Sequence, residues 1–107
     1  MSQFEDRERA FETKYARDED MAFRITARRN KLFGQWAAGL MGLTPEETTA
    51  YATSVVQADF EEAGDDDVIR KVLGDLTAAA VETDEAAIRT ALAEKSVEAR
   101  RQLMEAQ

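Results

Sequence analysis

The sequence predicts an all-α protein: a four-helix bundle preceded by a flexible N-terminal arm. Three observations carry this. Only 5 Gly and 1 Pro occur in 107 residues, too few for a sandwich or barrel that turns about every ten residues. Ala, Glu, Arg, Leu and Met, the strong helix formers, are abundant. The turn signals that do occur separate stretches whose apolar residues recur at helical spacing. A chain of this length is one domain that buries roughly 65% of its unfolded surface, enough for one modest core.

Residues 1–18 are read as the arm. Phe4, Phe11 and Tyr15 stand at spacings of seven and four, which puts them on one face of a helix, and the residues between are mostly charged or small. Pairs such as Glu5–Arg9 add only about 0.2–0.5 kcal/mol each. Three aromatics cannot offset an ordering cost of about 1–2 kcal/mol per residue. The arm is therefore expected to fray when alone and to become helical in a partner's groove. Phe4, Phe11 and Tyr15 would be its anchors, because buried aromatics dominate such interfaces. A tail whose aromatics fold back on the bundle fits the composition equally well. Phe4, Phe11, Ile25 and Leu32 share a heptad phase that only Asp18 interrupts, so a stabilised arm would extend the first bundle helix upstream. Asp18-Glu19-Asp20 would then be a hinge, or simply the cap of the bundle helix.

The bundle is assigned to residues 19–107. Its first helix, 19–41, has Met21, Ile25, Leu32, Trp36 and Leu40 as its buried stripe, widened by Phe33, Ala37 and Met41, and stops near Gly39 to Gly42. The second, 45–62, has the clearest start: Thr44 caps it, Pro45 takes the first position where its missing N–H costs nothing, and Glu47 completes a capping box. Ala52, Val55, Val56 and Phe60 form its apolar face, and Gly64 is expected to supply a left-handed cap. The third, 66–81, begins in Asp65-Asp66-Asp67, which favours the positive end of a helix dipole, and buries Val68, Ile69, Val72, Leu73, Leu76 and Ala80. Thr83-Asp84-Glu85 opens the fourth, 84–105, with Ile88, Leu92, Ala99 and Leu103 on one side. The loops are short, so successive helices should pack antiparallel.

Charge is unevenly spread. Residues 1–31 hold 8 Lys and Arg against 7 Asp and Glu, leaving 6 against 15 for the rest, and the net is −8. An acidic body repels phosphate backbones and anionic lipid, so no nucleic acid and no membrane insertion are expected. The absence of Cys and His removes thiol chemistry, zinc sites, Ser–His pairs and the Glu-x-x-His motif of di-iron bundles. No enzyme activity, cofactor or metal is predicted. The acidic run from Asp59 to Asp67 lacks the alternating ligands of a calcium loop, and a helix end followed by a cap accounts for it. The charged start MSQFEDRERAFE is unlike a signal peptide, no stretch of about 18 apolar residues exists, and a cysteine-free chain fits a reducing cytoplasm.

Arg24, Arg28, Arg29 and Lys31 make the one large positive patch. A solvated basic face beside a buried Trp36 is the ordinary explanation, and a docking surface for an acidic partner is the sharper one. No Gly-rich phosphate loop accompanies it.

Two segments resemble a known family. Phe4-Glu5-Asp6-Arg7-Glu8-Arg9-Ala10-Phe11-Glu12, continuing to Lys14-Tyr15-Ala16 and Asp18-Glu19, is similar to the opening of the alphaproteobacterial F-type ATP synthase zeta subunit. Ala27-Arg28-Arg29-Asn30-Lys31-Leu32, then Gly34, Trp36 and Ala37-Ala38, resembles that family's most distinctive block. The resemblance covers essentially the whole chain. It implies a regulatory subunit, not an enzyme, that inhibits ATP hydrolysis by inserting its N-terminal helix at a catalytic interface between the alpha and beta subunits near the gamma stalk. It implies Phe4, Arg7, Phe11, Lys14 and Tyr15 as the contacts of the arm; the positive patch of Arg24, Arg28, Arg29 and Lys31, read from the charge pattern, would be a secondary contact. The free form would be monomeric and cytoplasmic, peripheral to the inner membrane through the ATP synthase. Tyr15 and Arg17 stand where the family favours Phe and His, and without histidine an imidazole pH switch is not available. The rival readings are a helical adaptor, or a nucleotide-sensing domain, with another partner.

Overall fold

The computed structural model describes the backbone of residues 3–61 and 64–105 and the side chains of residues 19–59 and 64–105. Four helices appear in the order α1 (Gln3–Met41), α2 (Pro45–Glu61), α3 (Asp65–Ala78) and α4 (Glu85–Glu105), with no strand among the described residues. The backbone of α1 stays helical through Asp18-Glu19-Asp20. At about 1.5 Å per residue its 39 residues extend for roughly 58 Å, which accounts for a molecule 65 Å long and only 24 × 21 Å across.

The ends of the helices follow from identifiable local chemistry. The capping box at α2 forms as the sequence predicts: the Thr44 N–H donates to Glu47 Oε1 at 2.9 Å and the Glu47 N–H to Thr44 Oγ1 at 3.2 Å. The Thr44 backbone N–H, then its hydroxyl, hold the exposed Glu47 carboxyl below the usual carboxylate range. Asp84 caps α4, accepting from the Ala87 N–H at 2.8 Å. α1 ends in a Schellman motif: the Leu43 N–H donates to Ala38 O, the Gly42 N–H to Gly39 O, and Gly42 sits at φ 71°.

Two boundaries differ from the sequence expectation. α3 stops at Ala78, because Ala79–Val81 close a second Schellman motif: the Val81 N–H donates to Leu76 O and the Ala80 N–H to Thr77 O. Ala80 therefore leaves the apolar face of α3 and takes the left-handed position at φ 61°, exposed to solvent. Gly64, expected to end α2, is instead the N-cap of α3. It lies at φ 116°, ψ 157°, a region that essentially only glycine visits.

α1 packs on each of the other three helices, most extensively on α2 and α4, while α3 joins α2 to α4. Phe33, Ala37, Val55, Val68, Ile69, Val72, Leu76, Ile88, Ala91 and Leu92 form the buried core. The buried line of α1 is rotated from the predicted stripe: it runs through Asn30, Phe33, Gly34, Ala37 and Ala38, while Met21, Ile25, Leu32 and Trp36 lie at its half-buried margin and Leu40 is exposed. The small residues decide this. A methyl built on Gly34 would stand 2.7 Å from Ala52 Cα, so α1 and α2 cross at a contact that admits no side chain on α1. The core then fills from the flanks of that crossing, where Phe33 stacks on Trp36 at a centroid distance of 5.7 Å.

Candidate functional site

α1 carries every residue that the sequence singles out for binding. The side chains of Phe4, Arg7, Phe11, Lys14 and Tyr15 lie outside the described residues; their backbone belongs to α1. Among the described residues nothing upstream of Asn30 is fully buried.

The four basic residues further along α1 do not share one face. Spacings of four and three place Arg24, Arg28 and Lys31 along one side of the helix. Arg24 Nε lies 3.0 Å from Asp20 Oδ2, both side chains more than half exposed. Arg28 Nη1 donates to Gln102 Oε1 of α4 at 3.0 Å. Lys31 is exposed. Arg29 turns the other way and is only 11% exposed. Its Nε donates to Asn30 Oδ1 at 3.1 Å, and its Nη2 lies 3.0 Å from Asp65 Oδ1 as an ion pair not aligned for a hydrogen bond. Arg29 thus ties α1 to the start of α3.

This explains the acidic cluster at Asp65-Asp66-Asp67. Each of its carboxylates faces an arginine: Asp65 faces Arg29, Asp66 faces Arg89 of α4, and Asp67 faces Arg70 at 3.7 Å. Hydrogen bonds from Arg89 to Asp66 and then Glu85 hold that guanidinium above its ordinary value. The cluster clamps the start of α3 between α1 and α4, and exposed pairs of this kind add little stability singly.

Arg24, Arg28 and Lys31 rim an open groove of about 450 Å³ whose floor includes Ala27, Val56 and Leu103, with Phe23 at one side. Lys31 and Val56 also line a second cavity of about 430 Å³, which continues between α1 and α2 past Gln35, Ala52, Thr49 and Thr53. The two form one furrow over the α1–α2 seam. Its walls offer the three cations, the Gln35 amide, the Thr49 and Thr53 hydroxyls and the apolar atoms of Ala27, Ala52, Val56 and Leu103.

Asn30 is the residue that the sequence reading missed. It is 1% exposed, a buried polar side chain within the core line of α1. The available signal was its spacing: it stands three, four and seven residues before Phe33, Gly34 and Ala37.

Among the described residues no helix is long and apolar enough to cross a membrane. No curated protein matches the chain. Among solved structures, a protein determined by solution NMR superposes with a TM-score of 0.72 at 47% sequence identity, over 81% of this chain and 99% of that one. The family model for ATPase inhibitor subunit zeta matches residues 1–102. An ATPase inhibitor subunit is a regulatory protein associated with the ATP synthase. With a match over nearly its full length, the chain belongs to the ATPase inhibitor subunit zeta family.

Proposed function

We propose that the chain inhibits ATP hydrolysis by the F-type ATP synthase by inserting residues 1–18 as a helix at a catalytic alpha/beta interface near the gamma stalk, while residues 19–107 remain outside as a bundle. The observation that carries this reading is the reach of α1: its helix begins at Gln3, and among the residues whose side chains are described, from Glu19 on, the first one buried is Asn30. Between Glu19 and Arg29 the helix buries no residue fully, so this stretch contributes little to the core. Phe4, Phe11 and Tyr15 fill apolar clefts of the head, and Arg7 and Lys14 pair with its acidic groups. Free in solution, the arm exchanges between helix and coil, because its few aromatics do not cover the cost of ordering.

Two measurements test this. Catalytic heads from an alphaproteobacterial ATP synthase should hydrolyse ATP more slowly once the protein is added; undiminished hydrolysis at saturating protein overturns the proposal. Amide relaxation of the free protein should show residues 1–17 mobile and 20–105 rigid, whereas uniform rigidity would mean that the arm needs no partner to order it.

A further inference from the structure

The furrow over the α1–α2 seam is not used by the arm mechanism. Its placement is unusual for this protein: the chain carries a net charge of −8, yet three cations gather on the rim of a shallow apolar trough. Of the three, Arg24 is shared with Asp20, Arg28 is steadied by the neutral amide of Gln102, and Lys31 is exposed at the junction of the two cavities. Arg29, the fourth basic residue of the stretch, is turned away and neutralised by Asp65. Among the described residues Arg28 and Lys31 therefore have no carboxylate in ion-pair range, while Arg24 is paired with Asp20.

We infer that this furrow docks an acidic helix of the ATP synthase catalytic head, one with a narrow stripe of small apolar residues flanked by carboxylates. The inference rests on the reading of the chain as an inhibitor of that head. The length fits: Arg24 to Gln35 spans about 17 Å of α1, close to three turns of a helix laid alongside. Ala27, Ala52 and Val56 leave the floor shallow, which suits a helix seated by its small side chains rather than a deep pocket for one large group. Carboxylates on either side of that stripe would meet Arg24, Arg28 and Lys31, and such complementarity acts mainly on encounter rate and orientation. The furrow lies on the same helix as the arm, so docking here would fix the direction in which α1 enters the head.

The test uses the full chain and isolated catalytic heads. Arg24 and Lys31 are exposed, so the double variant R24E/K31E should fold normally. Its apparent affinity for the head should fall about ten- to hundredfold with a flatter salt dependence, while inhibition at saturating protein equals that of the unmodified chain. The control R70E/R101E makes the same change of net charge at exposed positions that line neither cavity of the furrow and should keep its affinity within about twofold. Equal losses in both doubles, or no loss in either, overturn the inference while leaving the arm mechanism standing. Furrow-dependent binding without any inhibition would do the reverse. Two further outcomes reassign the furrow and so overturn the proposal: ATP shifting the amide resonances of Lys31, Thr53 and Val56, or a concentration-dependent dimer of the free protein, with either effect lost in R24E/K31E while its affinity for the head is unchanged.

Discussion

Gly34 of α1 and Ala52 of α2 meet backbone to backbone: a Cβ on Gly34 would lie 2.7 Å from Ala52 Cα, 3.3 Å from its Cβ and 3.2 Å from Val55 Cγ2. None of these can swing aside as the tip of a long side chain would. Gly34→Ala should therefore push the two helices apart and loosen Phe33 and Val55 in the core. Overpacking of this kind costs about 1–3 kcal/mol, against a helix-propensity gain of about 1 kcal/mol, so a net loss is expected. Gly74→Ala is the control, since it lies within α3 with nothing within 4 Å of the added methyl and should gain about 0.5–1 kcal/mol. Urea denaturation of the two variants checks the pair, and stabilisation by both would mean that the crossing is looser than described.

The two Schellman motifs offer a matched comparison. Gly42 at φ 71° and Ala80 at φ 61° hold equivalent places at the ends of α1 and α3. Only the second carries a Cβ against the following carbonyl, a clash of about 1–2 kcal/mol. Ala80 is exposed, so losing its methyl forfeits no packing. Ala80→Gly should stabilise the protein by about 0.5–1 kcal/mol and raise Tm by a few degrees, and Gly42→Ala should do the opposite by a similar amount. Thermal melts followed by circular dichroism read both.

What was legible in the sequence was what depends on near neighbours. Thr44, Pro45 and Glu47 announce α2 because a capping box is complete within four residues, and Val68, Ile69, Val72 and Leu76 announce α3 because its buried face is continuous. The failures have a shared cause. Side-chain size and polarity put Leu40 in the core and leave Asn30 out, because the close crossing at Gly34 is a contact with α2 that no local pattern encodes. Once that crossing sets the rotation of α1, Asn30 turns inward and Leu40 outward. Ala80 was assigned to an apolar face for want of a glycine to mark the true end of α3. At the candidate site, spacing alone puts Arg24, Arg28 and Lys31 together, but the inward turn of Arg29 depends on Asp65, 36 positions downstream, which no local pattern reveals.

Tyr51 links stability to alkaline pH. Its hydroxyl donates to Asp75 Oδ2 at 2.8 Å, while Lys71 Nζ reaches the same oxygen at 3.1 Å and lies 5.2 Å from the centre of the tyrosine ring. Burial, and then the hydrogen bond to Asp75 and its negative charge, push the phenol well above its ordinary value of 10.0. A raised phenol pKa gives stability that is complete below about pH 10 and is lost as pH rises beyond it. In a Tyr15→Phe background, tyrosinate absorbance should appear only as the bundle unfolds. Tyr51→Phe should cost about 1 kcal/mol at neutral pH through the lost hydrogen bond. It should also remove part of the stability decline above pH 10. A Tyr51 that ionises at its ordinary pKa in the folded protein would show that the Asp75 contact does not persist.

The arm is tested by separating inhibition from stability. If Phe11 is an anchor in the catalytic head, Phe11→Ala should weaken inhibition by about 1–3 kcal/mol, or roughly five- to 150-fold in apparent affinity. The melting transition should hardly move, because an arm that orders only on its partner adds nothing to the stability of the free bundle. Deleting residues 2–14 should abolish inhibition with the same small effect on melting, and Gly34→Ala should show the converse pattern, a lower Tm with the arm chemistry intact. The decisive comparison is therefore between two slopes, potency against truncation and stability against truncation. A deletion that lowers Tm as much as Gly34→Ala does would place the aromatics of the arm on their own bundle, where burying Phe4, Phe11 and Tyr15 would contribute several kcal/mol. The segment would then be a stabilising tail that has to be released before it can engage anything else.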